Sequence, residues 1–187
     1  MKKLLYILLA VVVVFAIIYA FSGKSNATQH KALVAYFSAT GNTAGVAERL
    51  ATATGADTFA IEPETVYSAE DLDWKNEKSR ASVEMADRSS RPAIANVVEN
   101  IEQYDVIFVG FPIWWGREPS IIDTFIEGYN FAGKTIVPFA TSGSTPTTDE
   151  AAASIQQLAP DARVLTGKRF PVDVSAEELK SWADEWL

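Results

Sequence analysis

The sequence predicts a doubly wound α/β domain on a five-stranded parallel sheet. Three observations carry that expectation. Apolar runs of strand length alternate with segments of helical spacing from Ala32 to the C-terminus, the pattern of strand–helix–strand units joined by right-handed crossovers. One run, "DVIFVGF" (105–111), is continuously apolar between turn signals, as a strand covered on both faces must be. The turns after the strands are rich in Gly, Pro, Ser and Thr, and such a sheet gathers its ligand-binding loops at the carboxyl ends of its strands.

Each element has its own reason. "ALVAYF" (32–37) is the first strand. Residues 43–54 have helical spacing, with Val46 and Leu50 four apart, and Gly55 stops the helix. "DTFAIE" (57–62) is the second strand, ended by Pro63. Residues 64–104 break the rhythm. There "YSAEDLDW" (67–74) reads as an ordered loop, 77–88 as a helix and 95–101 as a second short helix. After the central strand, residues 120–129 form a helix with Ile121, Ile122, Phe125 and Ile126 on one face. "KTIVPFATSG" (134–143) is the fourth strand, although Pro138 cannot donate to a ladder. Residues 148–158 are a helix with Asp149 and Glu150 in its first turn. "ARVLTGKRF" (162–170) holds the last strand. Residues 175–186 close the chain as a helix, with Ser175 and Glu178 spaced as a capping box.

The amino end is different. Residues 4–21, "LLYILLAVVVVFAIIYAF", carry no charge and no proline, and follow Met1, Lys2 and Lys3. Their length lies between a signal-peptide core and a membrane span. Residues 1–27 are therefore expected to be a signal anchor or a signal peptide, with "SNA" (25–27) offering small residues for cleavage. Residues 28–31 are a linker, and 32–187 form the domain. The lysines favour the cytoplasmic side, so the domain is expected to be extracytoplasmic, membrane-anchored or secreted. The chain has no cysteine, which excludes a lipid-modified cysteine anchor, disulfides, thiol catalysis and cysteine-ligated metals. Its one histidine, His30, lies in the linker and reads as solvated. No catalytic triad and no metal site are expected. Removing residues 1–27 takes away Lys2, Lys3 and Lys24, so the net charge of −8 becomes −11. Such a domain repels nucleic acid and anionic lipid. It suits a basic partner protein or a neutral small ligand.

Three loops gather at the carboxyl edge. "SATGNT", from Ser38 through Ala39, Thr40, Gly41 and Asn42 to Thr43, joins the first strand to a helix. A helix N-terminus offers unpaired N–H groups and partial positive charge, so it favours an anion. Gly41 permits close backbone approach, and Ser38, Thr40, Asn42 and Thr43 add donors. No lysine follows as in a Walker A loop, and the GxGxxG fingerprint is absent. Simple helix capping accounts for one hydroxyl, not for four polar side chains with a glycine. The second loop, "PIWWGREP", holds Pro112, Ile113, Trp114, Trp115 and Gly116. Two consecutive tryptophans in a turn do not both point into one core, so one faces solvent or covers something flat. The third loop starts with Thr141, Ser142 and Gly143 and reads equally as a site or a plain turn. The carboxylates of "AEDLD" read as a solvated face.

These motifs carry a family resemblance. "SATGNT" resembles the phosphate loop of flavodoxins, and "PIWWGREP" resembles their isoalloxazine-holding loop. The spread of "YSAEDLDW", "RP", "PIWWG" and "TSG" is similar to that of a short-chain flavodoxin-like subfamily, from Ala32 to the C-terminus. The resemblance implies a flavodoxin-like three-layer fold and flavin mononucleotide (FMN) as cofactor. It implies that backbone amides near Ile113 to Gly116 bond the ring's polar edge and that Thr141, Ser142 and Gly143 reach its rim or ribityl chain. Tyr67 and Trp74 read as core residues, with flavin cover as the alternative. Two departures stand out: "SGSTPTTD" has Pro146 and threonines where the family often has glycines, and the leader is added. The function implied is an electron carrier, tethered to the membrane, with a redox partner protein. The alternatives are an FMN-dependent NAD(P)H:quinone or small-molecule reductase and a non-redox anchored binding module. The sequence has no nicotinamide motif, which favours the carrier.

Overall fold

The computed structural model describes residues 30–141 and 147–187. The apolar block at 4–21 therefore lies outside the described residues. Among those described, no helix is long and apolar enough to cross a membrane.

The elements run β1 (Ala32–Tyr36), α1 (Asn42–Thr54), β2 (Asp57–Ala60), α2 (Arg80–Ala86), a 3₁₀ turn (Ile101–Gln103), β3 (Val106–Pro112), α3 (Ser120–Glu127), β4 (Thr135–Thr141), α4 (Asp149–Leu158), β5 (Arg163–Val164), β6 (Lys168–Phe170) and α5 (Ala176–Ala183). The sheet order is β2-β1-β3-β4-β5, and every pairing is parallel. The predicted doubly wound sheet is thus observed.

Side chains alternate along each strand, and that alternation makes two cores. Leu33, Ala35, Ile107, Val109 and Phe111 face α3 and α4, meeting Ile121, Ile122, Phe125, Ile126 and Ile155. Val34, Phe108, Val137 and Phe139 face α1 and α5, meeting Val46, Leu50, Leu179 and Ala183. Strand β3 is buried over six of its seven residues, as its unbroken apolar run predicts.

The last strand comes in two pieces. Pro138 in β4 lacks an N–H, so the ladder beside it fails. Leu165 N–H still donates to Ile136 O at 3.0 Å, and pairing resumes at Phe139↔Lys168. Between them Gly167 adopts φ +75° against Pro138, where a Cβ would lie 2.0 Å from Pro138 O.

Three other expectations are corrected. Residues 95–101 are not a helix, and only Ile101–Gln103 forms a 3₁₀ turn. Asn96 diverts the chain: its amide donates to Ala60 O at 2.7 Å and accepts from Glu62 N–H at 3.2 Å. The segment is thereby pinned beside the end of β2. The helix expected over 77–88 spans only Arg80–Ala86, because Ser79 caps it by accepting from Ser82 N–H. At α5 the Ser175 hydroxyl accepts from Glu178 N–H at 3.1 Å, as a cap should. The Glu178 carboxylate does not complete the box and instead binds Lys168 Nζ at 3.0 Å.

Candidate functional site

The loop after β1 is built around Gly41. It is the N-cap of α1 with φ +87°, and no side chain caps the helix. Plain capping therefore does not explain the polar cluster. Thr40, Gly41 and Asn42 are exposed, while Ser38 is half-buried. Ser38 Oγ is buried without a hydrogen-bond partner among the described residues. That is unusual for a buried hydroxyl. Thr43 is committed elsewhere: its Oγ1 lies 2.8 Å from Thr141 Oγ1, both buried, which ties the first loop to the end of β4. Ser142 and Gly143 lie outside the described residues.

The loop after β3 forms a tight turn. Trp114 N–H donates to Arg117 O at 2.9 Å and Arg117 N–H to Trp114 O at 3.0 Å. The two central residues have positive φ, +47° at Trp115 and +88° at Gly116, which makes a type I′ turn. Glycine takes this conformation freely, whereas tryptophan does so at a cost of about 1–2 kcal/mol. Backbone strain of this kind concentrates at functional sites. The strain holds Trp115 out, 51% exposed. Trp114 turns inward and meets Phe37 and Tyr67 edge-on, with centroids 5.7 and 5.5 Å away. The sequence could not say which tryptophan stays free; the turn selects Trp115. Of the amides expected to face a ligand, Ile113 N–H is spent on Thr141 O at 3.1 Å and Trp114 N–H on the turn. Those of Trp115 and Gly116 have no acceptor among the described residues.

The two loops share a cavity of about 590 Å³. Ala39, Thr40, Pro112, Ile113, Trp114 and Trp115 line it, joined by Leu72, Trp74 and Ala81 from the irregular region. Tyr67 is core, as expected: it is buried against Phe37 and Trp114. Burial and a hydrogen bond to Glu84 push its phenol well above the ordinary range. Trp74 is not core. It is 69% exposed on the cavity wall. The sequence signal for this was an indole in "DLDWKN", with charged neighbours and no apolar period to bury it.

Behind the Trp turn lies a charged cluster the sequence reading missed. Glu118 is fully buried and Asp123 nearly so. Arg117 Nη1 sits 3.6 Å from Glu118 Oε1 and 3.7 Å from Asp123 Oδ2. Among the described residues neither Glu118 oxygen nor Asp123 Oδ1 has a hydrogen-bond partner within bonding geometry, although Ser154 lies close enough to Glu118 to favour its charged form. Burial, reinforced by Asp123, pushes the Glu118 carboxyl up to about 7. Burial also raises Asp123. At the turn itself, a Cβ at Gly116 would stand 3.7 Å from Glu150 Oε2, so a carboxylate lies beside Gly116. Among the described residues no cluster of His, Cys, Asp or Glu is able to hold a metal.

Comparison with known proteins agrees with this architecture. The flavodoxin family model matches residues 31–186. A candidate flavoprotein from Bacteroides eggerthii is 47% identical, with a TM-score of 0.78 over 83% of this chain and 97% of its own. One from Bacteroides uniformis is 45% identical, also at 0.78, over 83% and 98%. A Lactobacillus acidophilus flavoprotein solved in complex with FMN is 21% identical, with a TM-score of 0.63 over 84% and 98%, and shares the fold. No curated protein matches the chain. With its parallel sheet, its uncapped helix start and a family match over nearly the whole domain, the chain belongs to the flavodoxin family.

Proposed function

We propose that the protein binds FMN and carries electrons, with the phosphate in the loop from Ser38 to Thr43 and the ring in the adjoining cavity. One observation supports this most. An uncapped helix start, with a Ser38 hydroxyl that has no partner among the described residues, adjoins a cavity bearing two exposed indoles. The neutral donors fit an anionic phosphate, and the indoles fit a flat ring. Ser38, Thr40, Asn42 and the first amides of α1 would hold the phosphate. The Trp115 and Gly116 amides would bond the ring edge. Bound there, FMN supplies one- and two-electron chemistry while the protein tunes it. We further propose that residues 4–21 tether the domain outside the cytoplasm, and that the domain's acidity suits a basic redox partner.

The test is titration of the full-length protein, in mild detergent, with FMN and with riboflavin. FMN binds tightly with quenched fluorescence. Riboflavin binds about 100-fold more weakly or worse, since two or more charge-assisted hydrogen bonds at roughly 1.5 kcal/mol each are lost. Binding of neither would sink the flavin reading in favour of an anchored non-redox module. Steady oxidation of NADH or NADPH by the flavin-loaded protein would favour a reductase over a carrier.

The carboxylate beside Gly116 gives a second expectation. Negative charge near the ring disfavours added electrons. Glu150→Gln therefore raises the reduction potential by about 20–40 mV, from a Coulomb term of roughly 0.5–1 kcal/mol at partial screening. Redox titration at low salt checks it, and an unchanged potential counts against electrostatic tuning from this side.

A further inference from the structure

The protein has five tryptophans. Trp182 packs against Phe108 and Phe170, and Trp186 lies against the same core. Trp114 packs on Phe37 and Tyr67. Only Trp74 and Trp115 are exposed, and both line one cavity, from segments 41 positions apart in sequence. An indole left in water forgoes substantial burial energy. Two such residues converging on one cavity are a binding arrangement rather than scattered surface.

Trp74 is not at a loose tip. Ser68 and Asp71 exchange hydrogen bonds, Ser68 N–H to Asp71 Oδ2 at 2.9 Å and Asp71 N–H to Ser68 Oγ at 3.1 Å. Lys75 N–H donates to Asp73 Oδ1 at 3.1 Å, and Asn76 N–H to Asp73 O at 3.0 Å. Ala81 N–H donates to Asp71 O at 2.9 Å, docking the loop onto α2. The indole is thus pre-positioned, and holding it costs little further entropy on binding. Lys75 Nζ lies 5.4 Å from the ring centroid.

We infer that Trp74 is a ring-contacting residue of the site, a second aromatic wall supplied by the segment between β2 and α2 and acting on the planar part of the ligand alone. This rests on the flavin reading above. It also separates the site into two parts: the β1 loop answers to the phosphate, and Trp74 with Trp115 answers to the ring.

The test uses the full-length protein, its Trp74→Leu and Trp74→Phe variants, and FMN and riboflavin as probes. A stacking contact is worth roughly a factor of ten. Trp74→Leu weakens FMN and riboflavin by the same factor of about ten, so their affinity ratio is unchanged. It also lowers flavin quenching and alters the visible circular dichroism of the bound ring. Trp74→Phe restores most of the affinity. The thermal midpoint without ligand stays at the wild-type value, because the side chain is exposed. FMN affinity and quenching within twofold of wild type in Trp74→Leu would overturn the assignment. So would a loss confined to FMN, which would make Trp74 a support of the phosphate loop. If the wild-type protein binds neither probe, the flavin reading itself falls; if it binds both and Trp74→Leu is silent, only this inference falls.

Discussion

Gly110→Ala lowers the thermal unfolding midpoint by about 6–12 °C. Gly110 lies in β3 directly across from Phe139 in β4. A Cβ there would come 2.2 Å from Phe139 Cζ and 2.7 Å from Cε2. The Phe139 ring has no room to retreat, because it is fully buried among Phe108, Val137 and Phe170. Interiors are packed too densely to absorb an added methyl for nothing. Overpacking costs about 1–3 kcal/mol, and this site, enclosed by the sheet and α1, belongs at the upper end. A domain of this size loses about 2–4 °C per kcal/mol. Phe139→Leu opens the space, so the double variant recovers more than half of the loss in a double-mutant cycle. A midpoint within 2 °C of wild type for Gly110→Ala would show that the ring moves freely and would refute the packing argument.

Glu118→Gln makes the protein more stable above pH 7, by about 2–3 kcal/mol. The unfolded carboxyl titrates near 4.5, and burial raises it to about 7 in the fold. Between those values the folded protein holds the proton more tightly than the unfolded chain. Stability from this group is therefore complete below pH 4.5 and is lost as pH rises to about 7. Above that, a buried carboxylate must persist beside Asp123, and its contacts to Arg117 at 3.6 Å and to the half-exposed Arg88 at 3.9 Å are long. Ser154 of α4 also faces it, and Glu150 of α4 acts on the neighbouring Arg117. Glutamine keeps the shape and removes the charge. Urea unfolding of both proteins at pH 4.5, 6 and 8 yields a difference near zero at the lowest pH and growing upward. Parallel curves would mean that the fold does not raise the Glu118 carboxyl above its unfolded value, and would refute this reading.

Much of the fold was legible because the periodic signals were strong. The unbroken apolar run of β3 announces a strand covered on both faces, and it is buried over six of seven residues. Gly55 closes α1 at φ +73°, as a left-handed stop should. The misreadings occurred where a single side chain overruled local pattern. Asn96 pins its segment through hydrogen bonds to Ala60 at the end of β2 and to Glu62 just beyond it, 34–36 positions earlier, which no local window records. Pro138 was recognised as a flaw in β4, but its effect fell on the neighbouring strand, which divides at Gly167.

The candidate site divides in the same way. "SATGNT" and "PIWWG" were legible because small polar residues and glycine at a strand end have few purely structural uses. The roles within them were not. Thr43 is spent on Thr141, Ile113 N–H on Thr141 O, and Trp114 on Phe37 and Tyr67. Sequence settled the order of strands and helices and the loops at their carboxyl ends, since these follow from hydrophobic period and turn chemistry carried by neighbouring residues. Tertiary structure alone decided which indoles stay free and which hydroxyl stays unpaired among the described residues, and it buried Glu118 beside Asp123. Each of those outcomes depends on contacts between segments far apart in the chain, which a residue's neighbours in sequence do not encode.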